Sequence, residues 1–182
     1  MPPELIGSDR TVMGVPDENL GCSFKLAFDE KFLYVFAQIQ DATPLCNRQR
    51  QAMLWNGDAV ELFIGGEELE KGGALLPGDR QVLLSGGGAG MAPSAWVVGQ
   101  AEQPEIKVAA APAADGKGYA LEAAIPWAGL GLSPKGGEKL RFDLGIGNND
   151  EPQGNRTAQM MWNGADRNST DRTGWGYAEL DK

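Results

Sequence analysis

The feature that most constrains the fold of this chain is a succession of short segments in which apolar and polar side chains alternate. Turns rich in glycine, proline and aspartate separate them. Alternation places successive side chains on opposite faces of an extended strand. Two such runs in CSFKLAFDEKFLYVFAQIQD meet at Asp29-Glu30 and predict a hairpin. No stretch keeps a helical period over three turns.

Eight further segments predict strands: DAVELFIG, RQVLLS, SAWVVG, EIKVAAA, GYALEAAIP, EKLRFDLGIG, RTAQMMW and WGYAEL. About ten strands at this spacing predict an all-β fold, an antiparallel two-sheet β-sandwich (jelly-roll-like), with minimal helix. PWAGLGL and GEELEKGG are each predicted to form one short helical turn. A length of 182 residues suits one domain, so we expect residues 1–182 to fold as a unit.

Several classes of function are excluded by composition. The chain has no histidine, which removes Ser-His-Asp and Cys-His nucleophile systems and His-ligated zinc or haem. Its 25 acidic and 16 basic residues give a net charge of −9, which disfavours nucleic acid and anionic membranes as partners. The Gly-rich stretch SGGGAGMAP lacks the Lys-Ser/Thr of a phosphate-binding loop, so we expect no nucleotide.

The first residues, MPPELIGSDR, lack the basic and apolar regions of a signal peptide. If the protein is exported, its signal must lie outside this sequence. No apolar run is long enough to span a bilayer. Cys22 and Cys46 form no CxxC motif; we interpret them as two small buried side chains, and a disulfide between them stays open.

Five tryptophans are the clearest functional signal in the chain. Trp96 and Trp127 lie in apolar surroundings and are predicted to pack in the interior, whereas Trp162 could do either. Trp55 in WNGD and Trp175 in TGWG adjoin turn-forming residues, which predicts that each stands exposed at the end of a strand. An exposed indole suits a sugar, because the C–H face of a pyranose packs on the ring's negative quadrupole.

Glu61 lies six residues after Trp55 on a predicted strand. Strand alternation places Val60, Leu62 and Ile64 on one face and Glu61 on the other. A carboxylate beside an aromatic platform accepts hydrogen bonds from sugar hydroxyls, although a solvated, outward-facing glutamate explains the same pattern.

The carboxylates also raise the possibility of a glycosidase, with Asp58, Glu61 or Glu122 as acid and base. Alternation places Asp58 and Glu61 on opposite faces of a regular strand, and nothing in the spacing brings two carboxylates across one glycosidic bond. We therefore expect no catalytic residues and no enzyme activity.

The order of EKFLYVFAQIQD, LWNGDAVELFIG, DRQVLLS, GYALEAAIPWAGLG, LRFDLGIGNND, RTAQMMW and WGYAEL resembles the family 9 carbohydrate-binding modules and their DOMON-like relatives. The resemblance covers nearly the whole chain, and its most specific motif is W-x-x-D-x-V-E-x-F. It implies a two-sheet sandwich without catalysis that binds sugar chain ends between two tryptophans. These map onto Trp55 and Trp175, and the strand glutamate maps onto Glu61.

Three further side chains are candidates for polar contacts with the sugar. Arg80 and Gln81 fall near the position of a strand-borne hydrogen-bonding residue, and Arg172 lies close to Trp175. The resemblance also implies structural calcium. Hard cations bind several oxygens from loops, so the candidate ligands are carboxylates at strand ends or in NNDEPQGN. They are Asp41, Asp143, Asp150 and, less centrally, Glu151.

The sequence therefore predicts a carbohydrate-binding sandwich, with a sugar ring stacked on Trp55 and Trp175, that targets an attached enzyme to a polysaccharide or its chain ends. We expect it to belong to a larger multidomain protein located in the periplasm or outside the cell. Two alternatives stay open. One is a structural or interaction sandwich without a sugar site, and the other is a haem-binding electron-transfer relative, which the lack of histidine disfavours.

Overall fold

In the computed structural model of the chain, residues 2–66, 73–151 and 154–181 are described, and they contain twelve strands in two antiparallel sheets. In chain order the strands are β1 (Glu4–Ile6), β2 (Thr11–Met13), β3 (Gly21–Phe28), β4 (Phe32–Gln40), β5 (Ala59–Gly66), β6 (Arg80–Ser85), β7 (Ser94–Val97), β8 (Lys107–Pro112), β9 (Tyr119–Pro126), β10 (Lys139–Asn148), β11 (Ala158–Met161) and β12 (Gly176–Glu179).

One sheet has the order β1-β3-β4-β9-β8. The other has the order β2-β11-β10-β5-β6-β7, and β12 pairs with the first half of β10. All named neighbours are antiparallel. The predicted antiparallel β-sandwich is confirmed, with each of the ten expected strands in place.

The predicted hairpin is formed by β3 and β4, which pair from Gly21↔Gln40 to Phe28↔Leu33. Asp29 closes the turn, because its Oδ1 accepts hydrogen bonds from the backbone N–H groups of Lys31 and Phe32, both at 2.7 Å. A short aspartate side chain commonly fixes a turn in this way.

The core lies between the two sheets and contains Val60, Leu62 and Ile64 of β5, as the alternation predicts. Cys22 is also in this core, and both cysteines are buried and unbonded. Trp127 packs here as expected; it is 3% exposed, and its indole N–H donates to the carbonyl of Asp29 at 3.0 Å.

Helix is confined to short segments among the described residues. PWAGLGL contains the predicted turn, α1 (Trp127–Leu130), and two 3-10 helices occur at Ser8–Arg10 and Gln51–Asn56. Most of GEELEKGG lies outside the described residues. Strands β1 and β2 were not predicted, because a three-residue edge strand is too short to show alternation.

No helix in the described part of the chain is long and apolar enough to cross a membrane.

Candidate functional site

The candidate site lies on the outer face of the seven-stranded sheet, the face turned away from the other sheet. Pairing across five strands sets Met161, Gly145, Glu61, Leu83 and Trp96 in one row on this face. Glu61 is at the centre of the row. The interpretation that it faces away from the aliphatic core is therefore correct.

Glu61 is buried, with 2% of its surface exposed, and three side chains donate hydrogen bonds to its carboxylate. Arg156 Nη1 and Gln159 Nε2 donate to Oε1 at 2.7 and 2.9 Å, and Gln81 Nε2 donates to Oε2 at 2.8 Å. At 2% exposure, Glu61 does not present at the surface the carboxylate that the predicted contact with sugar hydroxyls requires. Its oxygens serve instead to fix Arg156 and the two amides.

Burial and charge act against each other in the Glu61–Arg156 pair. Burial raises the pKa of Glu61, while the Arg156 guanidinium and the two amide donors oppose that rise. Burial likewise lowers the pKa of Arg156, and the Glu61 carboxylate opposes this change. Each charge therefore stabilises the ionised form of its partner, which burial alone would disfavour, and the protonation of one group depends on the other.

Trp55 lies in the 3-10 helix Gln51–Asn56 and not in a tight Asn-Gly turn at the end of a strand. This helix packs against β5, β6 and β7. Leu54 of the helix and Leu83 of β6 are both buried outside the inter-sheet core, which places the helix over the outer face of the sheet. Trp55 is half-buried there.

Arg156 joins Trp55 to Glu61. Its guanidinium carbon lies 4.8 Å from the centroid of the Trp55 ring, close enough for a cation–π contact. Asn56 reinforces the junction: its Oδ1 accepts from the Arg156 backbone N–H at 3.1 Å, and its Nδ2 donates to Asn155 at 2.7 Å. One part of the Trp55 ring is therefore already occupied by a side chain of the protein.

Two outward-facing glycines in β10 make room for this arrangement. A Cβ on Gly147 would lie 3.0 Å from Arg156 Cδ and 3.1 Å from the carbonyl oxygen of Gly57. A Cβ on Gly145 would lie 2.2 Å from the sulfur of Met161, a distance that requires movement. Glycine at these positions lets the neighbouring side chains lie directly on the backbone of the sheet.

Trp175 does not form a second exposed wall, and the prediction that it does is wrong. It is only 3% exposed and packs against Phe63, with ring centroids 5.6 Å apart, and against Met161. Its indole N–H donates to the carbonyl of Asn168 at 3.2 Å. Trp175 is thus part of a small second core that covers the outer face of β5.

Arg172 and Arg80 also lie away from the expected sugar contacts. Arg172 is 2% exposed; its Nε is 3.5 Å from Asp79 Oδ2, and its Nη2 donates to the carbonyl of Gly66. Arg80 points to the opposite face of β6 from Gln81 and donates to the carbonyls of Pro77 and Asp79. Of the three predicted polar residues, Gln81 alone contacts Glu61.

Asp143 is not placed to bind a metal ion, contrary to the prediction. Its two oxygens accept four N–H hydrogen bonds, from the backbones of Leu144, Asn163 and Gly164 and from the side chain of Asn168, at 2.6–3.0 Å. These donors occupy the lone pairs that a cation would need. Asp143 instead anchors the loop that carries Asn168 over Trp175.

Asp41 and Asp150, in contrast, lie together at the far end of β10. The Thr43 hydroxyl lies 2.9 Å from Asp41 Oδ1 and 3.5 Å from Asp150 Oδ1. Asn148 Oδ1 is buried close by and has no hydrogen-bond partner among the described residues. Across residues 2–66, 73–151 and 154–181, no three carboxylate or thiol side chains are already arranged around a metal position.

Asp58 borders this acidic cluster from a buried position. Its oxygens accept from the backbone N–H groups of Cys46 and Asn149 at 2.6 and 2.7 Å. Burial, with a smaller contribution from the charges of Asp41 and Asp150, raises its pKa to about 7 against the opposing effect of these two hydrogen bonds. The carboxyl groups of Asp41, Asp58 and Asp150 therefore lie close enough to influence one another's charge.

Glu122 and Glu61 cannot act as a catalytic pair. Glu122 lies on the outer face of the five-stranded sheet, level with Phe36, whereas Glu61 lies on the outer face of the other sheet. The two carboxylates are thus separated by the whole thickness of the sandwich. One glycosidic bond cannot lie between them.

Sequence reasoning missed Arg156 and Gln159 and assigned Trp96 to packing. Gln159 could have been found, because it is the one amide in the apolar strand β11 and alternation places it on the same outer face as Met161. Arg156 lies in a loop 95 residues from Glu61, and no local pattern connects them. Trp96 is half-buried in the same row as Glu61, separated from it by Leu83.

The chain is similar in sequence to known carbohydrate-related proteins. Residues 6–182 match the model of the family described as carbohydrate family 9 binding domain-like. Over 166 residues the chain is 27% identical to endo-1,4-beta-xylanase A of Thermotoga maritima; this match covers 91% of the chain and only 14% of that enzyme.

Solved structures share the fold. A family 9 carbohydrate-binding module from Caldicellulosiruptor kristjanssonii in complex with glucose aligns with a TM-score of 0.72 at 18% identity, covering 98% of this chain and 83% of that one. The cellotriose complex of a family 9 module from the same organism aligns with a TM-score of 0.68 at 19% identity, covering 91% and 77%. A putative carbohydrate-binding protein from Bacteroides uniformis aligns with a TM-score of 0.57 at 13% identity, covering 97% and 84%. With residues 6–182 matched, the chain belongs to the carbohydrate family 9 binding domain-like family.

Proposed function

We propose that the protein binds carbohydrate on the outer face of the seven-stranded sheet, with a sugar ring against the exposed part of Trp55. The observation that carries this proposal is the half-buried indole held by Arg156, which is itself fixed by the buried Glu61 carboxylate. Family membership supports it, as do the glucose and cellotriose complexes of the structural relatives. Because Trp175 is buried and Trp96 is half-buried, Trp96 is the candidate for the second aromatic side chain of this site.

The polar groups of this site suit the hydroxyls of a neutral sugar. Arg156 uses Nη1 for Glu61, and its Nε is buried, but the side chain is 14% exposed, so its remaining guanidinium N–H groups can donate to a ligand. Gln81 is half-buried next to it and offers an amide. Because Glu61 and Arg156 together carry no net charge, the site has no electrostatic reason to prefer an anionic sugar over a neutral one.

Glu61 acts in this proposal as a positioning residue. It fixes the guanidinium and the two amides in one geometry before the sugar arrives, which reduces the entropy lost on binding. Stacking on the indole supplies most of the affinity, because an exposed hydrogen bond to a sugar contributes a net gain of about 1 kcal/mol.

We further propose that the domain is a non-catalytic part of a larger exported protein and directs an attached enzyme to its polysaccharide. Support comes from the xylanase relative, since this chain spans 14% of that enzyme's length.

Calcium is proposed at the Asp41–Asp150 end of the sandwich. Two carboxylates lie near one hydroxyl, beside a buried amide oxygen with no partner among the described residues and a carboxyl with a pKa of about 7. This arrangement fits a hard cation that prefers oxygen ligands. Asp41, Asp150 and Asn148 Oδ1 would hold the ion, and Asp58 would support them through Cys46 and Asn149. When bound, calcium would neutralise the cluster and play no part in sugar chemistry.

The sugar site is tested by titrating the protein calorimetrically with glucose and with cellotriose. Trp55→Ala should abolish binding, and Trp96→Ala should weaken it. Tyr177→Ala is the matched control: Arg141 lies 4.7 Å from the Tyr177 ring, so this variant also loses an arginine–aromatic contact, but away from the site. Unchanged affinity in a folded Trp55→Ala protein would refute the site, and failure of the wild type to bind any glycan in a broad panel would favour the interaction module.

A further inference from the structure

The outer face of the five-stranded sheet is unusually apolar for a surface exposed to water. Pairing places Phe32, Tyr34 and Phe36 of β4 on this face, next to outward-facing alanines of β3, β8 and β9. The outer face of an antiparallel sheet normally carries polar side chains. An apolar patch of this kind on a protein surface commonly marks a binding site.

The aromatic side chains form a ridge along the central strand of this sheet. Tyr34 and Phe36 are 38% and 37% exposed, and the rings of Phe32 and Tyr34 lie 6.0 Å apart. The Tyr34 hydroxyl donates to Asp29 Oδ2 at 2.8 Å, which fixes the orientation of its ring. Because β4 has a partner strand on each side, the ridge rests on a rigid support.

A shallow trough of about 530 Å³ runs beside the ridge. Alanines form much of its floor, since Ala124 of β9 pairs with Tyr34 and Ala109 of β8 lies level with Phe36 one strand further on. Lys25 of β3 and Lys107 of β8 stand on its two outer strands, and Glu122 of β9 lies between Phe36 and Ala109; all three are exposed. None of these three forms an ion pair within the described part of the chain, so their donors and acceptors remain available.

The dimensions of this surface indicate what it can bind. From Phe32 to Gln38 and from β3 to β8 it measures about 20 Å by 15 Å, or roughly 300 Å². A stable protein–protein interface buries about 800 Å² per partner, so the patch is too small to hold a second protein by itself. A trough of 530 Å³ lies within the range of small-ligand sites and, being open, suits a narrow, extended chain.

We propose that this surface, formed by Tyr34 and Phe36 with Lys25, Lys107 and Glu122, is a second carbohydrate-binding site that takes the face of a neutral polysaccharide chain. Sugar C–H faces pack on the rings, and the hydroxyls at the ring edges meet the lysine and glutamate side chains. The choice of carbohydrate as ligand rests on the proposed function. The site itself is independent of Trp55, because it lies on the opposite outer face of the sandwich.

The two surfaces can be distinguished by measuring adsorption to insoluble microcrystalline cellulose alongside calorimetric binding of soluble cellotriose. The double variant Tyr34→Ala/Phe36→Ala should lose at least about tenfold in adsorption, because it removes two stacking contacts, while its cellotriose affinity stays unchanged. Trp55→Ala should lose its affinity for cellotriose and retain measurable adsorption to cellulose. Tyr177→Ala, a change at a comparably exposed aromatic side chain that lines neither site, is the control.

Near-wild-type adsorption of a double variant with an unchanged unfolding midpoint would overturn the second site. Complete loss of adsorption in Trp55→Ala would do so too, because it would assign all binding to the first surface. Sedimentation gives a further test: a wild-type dimer that the double variant abolishes would assign the patch to self-association. Unchanged cellotriose binding in Trp55→Ala would contradict only the proposed function.

Discussion

Arg156 and Trp55 show at the residue scale how the site is assembled from distant parts of the chain. Trp55 is carried by a 3-10 helix before β5, and Arg156 precedes β11, a hundred residues later. Glu61 brings them together, because its buried carboxylate needs a counter-charge and Arg156 supplies it at 2.7 Å. The orientation of the aromatic surface is thus linked to a buried ion pair.

This linkage predicts that Glu61→Gln both destabilises the fold and weakens sugar binding. The substitution leaves a largely buried guanidinium without its counter-charge, so the free energy of unfolding should fall by about 1–3 kcal/mol. Urea denaturation and calorimetry measure the two effects. In a double-mutant cycle with Arg156→Gln, the stability changes should be clearly non-additive, and simple additivity would contradict the coupling.

Strand alternation, a local pattern, predicted which face of β5 carries Glu61. It could not predict the hydrogen-bond partners Arg156 and Gln159, because they lie more than 90 residues away in the sequence. Trp175 illustrates the same limit. Its glycine neighbours predicted exposure, yet Asp143 anchors the preceding loop and folds the indole onto Phe63. The residues next to Trp175 predict the local backbone conformation, but they do not predict which distant side chains cover the ring.

At the scale of elements, β5 and β10 are the centre of the seven-stranded sheet. They pair over eight positions from Leu140↔Gly66 to Gly147↔Ala59. Nearly all their residues are buried, because the inter-sheet core covers one face and the Glu61 network and Trp175 cluster cover the other. The ten longer alternating strands could be read from sequence, whereas the three-residue strands β1 and β2 could not.

We expect the backbone amides of β5 and β10 to exchange with deuterium more slowly than all others. Hydrogen bonds in strands covered on both faces break only when the whole domain unfolds, whereas those of the edge strands β1, β2 and β7 open locally. Hydrogen exchange followed by mass spectrometry or nuclear magnetic resonance measures this order. Protection in β7 equal to that in β10 would contradict it.

At the scale of the whole molecule, stability should depend on pH through the acidic cluster. Burial raises the pKa of Asp58 from its ordinary 3.8 to about 7, and burial raises that of Asp41 as well. A raised folded-state pKa stabilises the fold fully below the unfolded value, and this contribution is lost as pH rises through the folded value. In a chelator, the unfolding midpoint should therefore increase as pH is lowered from about 8 to about 5.

Calcium should reverse much of this dependence if it binds at Asp41 and Asp150. An ion that binds only the folded state, present at about 100 times its dissociation constant, stabilises by about 2.7 kcal/mol. The gain should be largest near pH 8, where Asp58 is ionised and repulsion is greatest. Asp150→Asn should lose the response, and Asp143→Asn should keep it, because Asp143 is bonded to four N–H groups elsewhere. A thermal midpoint in Asp150→Asn that still rises with millimolar calcium would exclude this site.

The two outer faces of the sandwich point in opposite directions, which has a consequence for the material to which the protein adheres. With Trp55 on one face and the Tyr34–Phe36 ridge on the other, one glycan chain cannot reach both surfaces, so double occupancy joins two separate chains. Such a domain would act as a bivalent cross-linker, and its avidity would depend on chain density. Suspended fibres should bundle at intermediate protein concentration and disperse again in excess, once each binding position on the fibres is occupied by a separate copy of the domain.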